Sequence, residues 1–351
     1  MRVLFFSEAL APPADEGIKV VARSLLAEVS RLHTVLALTN RGLGIPDLSV
    51  RRVAANRILA SLALRGRVRA FRPDLVVYLP TACGTPLSFL RMHLLHQYAM
   101  RAPTAMVVLQ LRVYGRIARA VIPRFAAGPV WAQAERTAAP LRELGLRVLR
   151  FPPAVDCARF RPASLAERAE LRSQYGIPTA AFVLLHVGHL NSNRNLPILA
   201  GLQAQGDAQI MLVGSTSTTH EVSTLAALRA AGVTLLTSYI PAIEDVYRMA
   251  DAYLFPVKSP TGCIDVPLSV LEAMASDLPV VSTRYGDLPR LFSGAPGLLF
   301  YDGAESLRRA VARVRQGGLS GNRRLVEPLT WAEAARALVE GSARDGGAYS
   351  W

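Results

Sequence analysis

Two carboxylates carry the chemistry in the stretch CIDVPLSVLEAMASDLPVVSTRYGDLP, residues 263–289: Glu272 inside an apolar run of helical spacing, and Asp265 just ahead of it. A carboxylate is costly to bury without partners. One placed within an apolar run therefore points to a hydrogen-bonding task, because it offers paired acceptors to hydroxyl donors and is favoured by the backbone dipole near a helix N-terminus. Pro267 suits the first helical turn, which leaves the N–H groups of Leu268, Ser269 and Val270 as a ready anion site. Two blander readings stand beside these: Glu272 on the solvent face of an amphipathic helix, and Asp265 as a helix cap.

These residues need a scaffold, and the sequence supplies alternating strands and helices. RVLFFSEA reads as a buried strand, IKVVARSLLAEVSRL as an amphipathic helix and HTVLALTN as the next strand. PDLVVYLP and PTAMVVLQL are further strands, separated by the helical PLSFLRMHLLHQYAMR. FVLLHVGHL, QIMLVGS, VTLLTSYI, AYLFPV and LPVVSTR repeat the pattern, and LTWAEAARALVEG predicts a closing helix. With 351 residues, 51% of them hydrophobic, the chain suits two α/β domains, each with a parallel sheet. Their ligand-binding loops are expected at the strand C-termini across a cleft. The Pro- and Arg-rich segment RFPPAVDCARFRPASLAERAELRSQYGIP reads as the linker. The expected domains are 1–155, 156–328 (linker included) and a tail, 329–351, crossing back toward the first.

On these residues the chain resembles a GT-B fold glycosyltransferase of glycosyltransferase family 4, closely in its second half and faintly in its first. The implied fold is two Rossmann-like, doubly wound domains. The implied activity is transfer of a hexosyl unit from a nucleoside-diphosphate sugar to an acceptor hydroxyl with retention, with no metal or other cofactor. In VGHLNSNRN the positions that hold the donor diphosphate in the family are Gly188, His189 and Arg194; Arg194 keeps a fork that grips phosphate bidentately, and His189 is a weaker substitute. A solvated Arg194 is the blander alternative. LEAMASDLPVVST matches the family's ribose-binding glutamate, which implies that role for Glu272. The family's other glutamate, eight residues earlier, is Ile264 here, and Asp265 becomes the candidate replacement, with contacts to the sugar. Tyr239 and Ile240 fall where the family packs on the nucleotide base. Gly17 stands alone where paired glycines approach the donor, Gln110 stands at an acceptor-side histidine position, and Arg290 stands where a glutamate is expected. Together these departures raise a catalytically silent binding protein as the alternative.

Charge adds a partner. Residues 1–155 hold 22 basic and 8 acidic side chains and residues 156–351 hold 18 of each, so the whole net charge of +14 lies in the first part. A basic acceptor half implies an anionic or lipid-linked acceptor at a membrane surface, and RRVAANRILASLALRGRVRAFRP, 51–73, is the candidate helix for it. No nucleic-acid motif occurs. Glu8 and Pro12 interrupt the start too early for a signal peptide, so a cytoplasmic location, peripheral at the inner membrane face, is expected. Cys83, Cys157 and Cys263 lack metal-site spacing, His93 and His96 have no acidic partner segment, and neither a GxSxG elbow nor a P-loop is present.

Overall fold

The structure, a computed structural model, describes residues 1–42, 45–81, 83–206, 208–216, 221–343 and 349, without the side chains of 46 and 192. The chain divides into two compact units, Met1–Pro153 with Trp331–Trp351, and Ala154–Thr330.

The first unit holds strands β1 (Arg2–Ser7), β2 (Thr34–Thr39), β3 (Arg51–Arg52), β4 (Leu75–Leu79), β5 (Thr104–Val108), β6 (Val130–Ala132) and β7 (Val148–Arg150), all parallel, in the order β3-β2-β1-β4-β5-β6-β7. Its helices are α1 (Gly17–Leu32), α2 (Leu62–Phe71), α3 (Pro86–Tyr98), α4 (Arg116–Phe125) and α5 (Glu135–Arg142). The period of two is visible in β6. Val130 and Ala132 join the core beneath α2 to α5, while Trp131 between them donates from Nε1 to Ser342 Oγ, at 3.0 Å, on the closing helix Trp331–Ala343. That helix packs on α1.

The second unit holds β8 (Val183–Gly188), β9 (Gln209–Gly214), β10 (Thr234–Leu236), β11 (Ala252–Phe255), β12 (Val280–Ser282) and β13 (Leu298–Phe300), again all parallel, in the order β10-β9-β8-β11-β12-β13. Its helices are α6 (Leu165–Gln174), α7 (Pro197–Ala204), α8 (Val222–Ala230), α9 (Ile243–Met249), α10 (Leu268–Ala275), α11 (Leu288–Leu291), α12 (Ala304–Arg315) and α13 (Arg323–Val326); the closing helix of the first unit is α14. Leu199, Leu228, Val311 and Val314 cover one face of the sheet, and α6, α9, α10 and α13 pack on one another.

The segment expected to be a linker is mostly structure. Arg172 of α6 is buried and donates to the carbonyls of Met249, Thr179 and Ala181 and to Asp251 Oδ2 at 2.6 Å, and Arg168 pairs with Asp251 Oδ1 at 2.8 Å. Asp251 Oδ2 also accepts from Val183 N at 2.7 Å, so α6 is fixed to the start of β8 and to the turn before β11. The reading of 51–73 as a surface helix also changes. Only α2 is helical there, and Val53, Leu59, Leu64 and Val68 are core residues.

Candidate functional site

In the second sheet the order of strands reverses between β8 and β11, and the crevice beyond the carboxyl ends of such a pair is where open α/β sheets bind ligands. Gly188 ends β8, and Arg194 returns to it from a short 3-10 turn, Ser192–Arg194. Arg194 is only 5% exposed, which rules out the solvated reading, and its Nε is buried without a hydrogen-bond partner. The guanidinium lies so close to Gly188 that a Cβ there would stand 3.4 Å from Nη1. His189 is half-buried beside it.

Sequence reasoning missed the residue behind Arg194. His186 is fully buried, with Nδ1 2.9 Å from the Leu254 carbonyl and Nε2 unpartnered. Burial first, then the Arg194 charge, holds its pKa down to about 3, so the imidazole is neutral. A proton on Nδ1 satisfies the carbonyl and leaves a lone pair on Nε2.

Tyr253 of β11 ties this strand end to α10. Its Oη donates to the Val187 carbonyl at 3.2 Å and hydrogen-bonds the Ser269 side chain, and the phenol stands in the fields of both Arg194 and Glu272. Its ring stacks on Tyr247, centroids 5.9 Å apart. Tyr247 Oη, from α9, donates to Glu272 Oε2 at 2.6 Å. Glu272 is half-buried rather than on a solvent face, and its carboxyl is pushed up to about 7 by desolvation, against the opposing Tyr247 hydrogen bond and Arg159 charge. Tyr253 sits in the apolar run of β11 and Tyr247 on the buried side of the charged helix α9, where packing alone explains them; only the tertiary structure aims their hydroxyls.

The α10 N-terminus corrects one expectation. Pro267 is the N-cap, without a side-chain cap, but Val270 N donates to the Pro267 carbonyl at 3.1 Å, which leaves Leu268 and Ser269 as the open N–H groups. Asp265, two residues before that cap, is fully buried. Its loop is fixed from two sides. Tyr285 Oη accepts from Cys263 N at 2.8 Å, and Asp287 N donates to the Asp265 carbonyl at 3.2 Å. Gly286, at φ +56°, passes so close that a Cβ would fall inside the Asp265 carbonyl. Arg290 ion-pairs with Asp287.

The other expected residues lie elsewhere. Tyr239, half exposed, and Ile240 follow β10, at the edge of the second sheet. Gln110 lies just past β5, half-buried and engaged by a neighbour, and Gly17 opens α1, in the first unit. There, at the reversal between β1 and β4, Glu8 is buried and accepts from Arg91 Nη1 at 2.6 Å and Tyr78 Oη at 3.0 Å; burial raises its pKa despite the Arg91 charge. His96 Nδ1 meets the Ala102 carbonyl at 3.1 Å and His93 packs on Phe125, and among the described residues no group of three or more His, Cys, Asp or Glu converges as a metal site.

Residues 181–316 match the family described as Glycosyl transferases group 1. The chain is similar to D-inositol 3-phosphate glycosyltransferases: 30% identical to that of Arthrobacter sp. over 161 residues, 42% of this chain and 37% of the relative, and 30% identical to that of Actinosynnema mirum over 228 residues, 57% and 52%. It spans about half or less of the length of these relatives. HepE of Anabaena, solved in complex with UDP, shares the fold with a TM-score of 0.75 over 97% of this chain and 99% of its own, at 17% identity.

Proposed function

We propose, from a GT-B fold whose residues 181–316 carry a glycosyl transferases group 1 domain, that the chain moves a hexosyl unit from a nucleoside-diphosphate sugar to an acceptor hydroxyl, with retention of configuration, on a glycan or lipid-linked sugar. The observation that carries this reading is Arg194, buried with an unpartnered Nε at the strand reversal of the second sheet. A guanidinium in that setting costs stability unless an anion completes it.

The diphosphate would lie between Arg194 and the open N–H groups of Leu268 and Ser269, with Glu272 Oε1 toward the ribose and Tyr239 and Ile240 beside the base; Asp265, fully buried, would hold the loop on the sugar side and reach the sugar only if that loop shifts on binding. The acceptor oxygen bonds to the anomeric carbon as the bond to the β-phosphate oxygen breaks, and the acceptor proton passes to that oxygen, releasing the nucleoside diphosphate. Arg194 and the helix dipole stabilise the charge that develops on it. With the charge met by these groups, turnover is expected to survive EDTA.

Calorimetry with UDP, GDP and the corresponding nucleosides tests the reading. The diphosphates are expected to bind at least tenfold tighter than the nucleosides, and Arg194→Gln to erase the difference. Diphosphates that bind no better than nucleosides would remove the donor site. Nucleotide binding without donor turnover across a panel of UDP- and GDP-sugars would favour the silent binding protein, which the Ile264 departure already suggests.

A further inference from the structure

The first unit carries a surface that this reaction does not use. Between Asp47 and Glu135 the sequence holds 13 arginines, and Asp74 is the lone acid. Helices α2, α3 and α4 lie side by side over one core on one face of the sheet, with α3 in the middle. Arg65, Arg67 and Arg69 of α2 and Arg116 of α4 are exposed and have no side-chain partner among the described residues. Set among these cations are three aliphatic side chains that the fold leaves in water: Leu62 at 84%, Val113 at 84% and Ile117 at 83% exposure. Single exposed aliphatics are ordinary. Here they sit at the start of α2 and across the turn into α4, next to Arg112 and Arg116, and no described residue covers them.

We infer that this α2–α4 face docks on an anionic phospholipid bilayer, with the arginines at the headgroups and Leu62, Val113 and Ile117 at the acyl boundary. The charge fits such a surface, since each arginine near anionic lipid adds attraction that salt screens. The aliphatic tips decide between a bilayer and nucleic acid. Surfaces for single-stranded nucleic acid stack bases on aromatic rings, whereas every aromatic residue between positions 48 and 134 is buried or half-buried. Exposed aliphatics beside arginines match a headgroup and acyl boundary instead. Among the described residues no helix is long and apolar enough to cross a membrane, so the contact is peripheral. This differs from a docking helix over 51–73: the core claims Val53, Leu59, Leu64 and Val68 of that segment, and only Leu62 of it is used here.

Vesicle sedimentation of the full chain, without nucleotide, tests the inference apart from any glycosyl transfer. Binding is expected to phosphatidylcholine vesicles carrying phosphatidylglycerol and not to phosphatidylcholine alone, and to weaken steeply with salt. Arg65→Gln, Arg67→Gln and Arg69→Gln together are expected to weaken it about a hundredfold. Val113→Asp with Ile117→Asp, both at exposed positions and so compatible with an unchanged melt, is expected to remove the binding that survives high salt. Arg23→Gln, on α1, is the control and should leave it unchanged. No vesicle binding at low salt, an equal loss from Arg23→Gln, or binding of a short single-stranded oligonucleotide in place of vesicles would each overturn the inference.

Discussion

At the residue scale, Glu272 has one oxygen held by Tyr247 and a pKa raised to about 7. Between its ordinary 4.5 and about 7 the folded chain holds this proton more tightly than the unfolded chain does. The contribution to stability is therefore full below pH 4.5 and is lost as pH rises through 7, and the melting point of the ligand-free protein is expected to fall over that window, less so in Glu272→Gln. Nucleoside binding needs the ionised acceptor and should run the other way, strengthening from pH 6 to 8 in the native protein and staying flat in Glu272→Gln. Tyr247→Phe removes the donor that favours the carboxylate. It is expected to move the midpoint of this profile up by about one pH unit and to weaken nucleoside binding at pH 7 by up to about tenfold. A profile unchanged in Tyr247→Phe would deny the hydroxyl any part in binding.

At the element scale, the loops at the strand ends are held by backbone as much as by side chains. Gly286 in its left-handed conformation lets the 285–287 loop lie against the Asp265 carbonyl. Gly286→Ala has to open that contact, and is expected to depress turnover more than tenfold with a loss of stability of about 1–3 kcal/mol, read by urea titration. On the far side of the same unit, Arg172→Met strands the Met249, Thr179 and Ala181 carbonyls, while Asp251 keeps Arg168 and Val183 N as partners. A loss of about 1–3 kcal/mol is expected, because buried acceptors left without a donor carry their desolvation cost.

At the scale of the whole molecule, the chain leaves its first unit at Pro153 and returns to it at Trp331. The returning α14 packs on α1, and Gly341 of that helix passes against the ring of Trp131. Ending the chain at Thr330 therefore uncovers α1 and Trp131 while the second unit keeps all its strands. Limited proteolysis is expected to digest the first unit of that truncated chain and to spare the second, and nucleotide binding should persist. Equal digestion of both units would show that they do not fold independently.

The long strands, the paired α/β pattern and the candidate donor residues of the second unit were legible from sequence. Apolar runs of four to six residues and a glutamate inside LEAMA are local signals, set by burial and by the rarity of charge in a core. Strands β3, β6, β7 and β13, only two or three residues long, carried too little periodicity to register. The 150–178 segment looked like a linker because its anchoring chemistry is remote, with Arg172 meeting Asp251 across 79 positions. The same holds at the site: Tyr247 reaches Glu272 across 25 positions and His186 reaches the Leu254 carbonyl across 68. Residue type and local spacing determined which groups could do chemistry and on which elements they ride. Only the tertiary structure decided which of them are buried, paired or left open, because burial and hydrogen-bond partners come from strands and helices far apart in the chain.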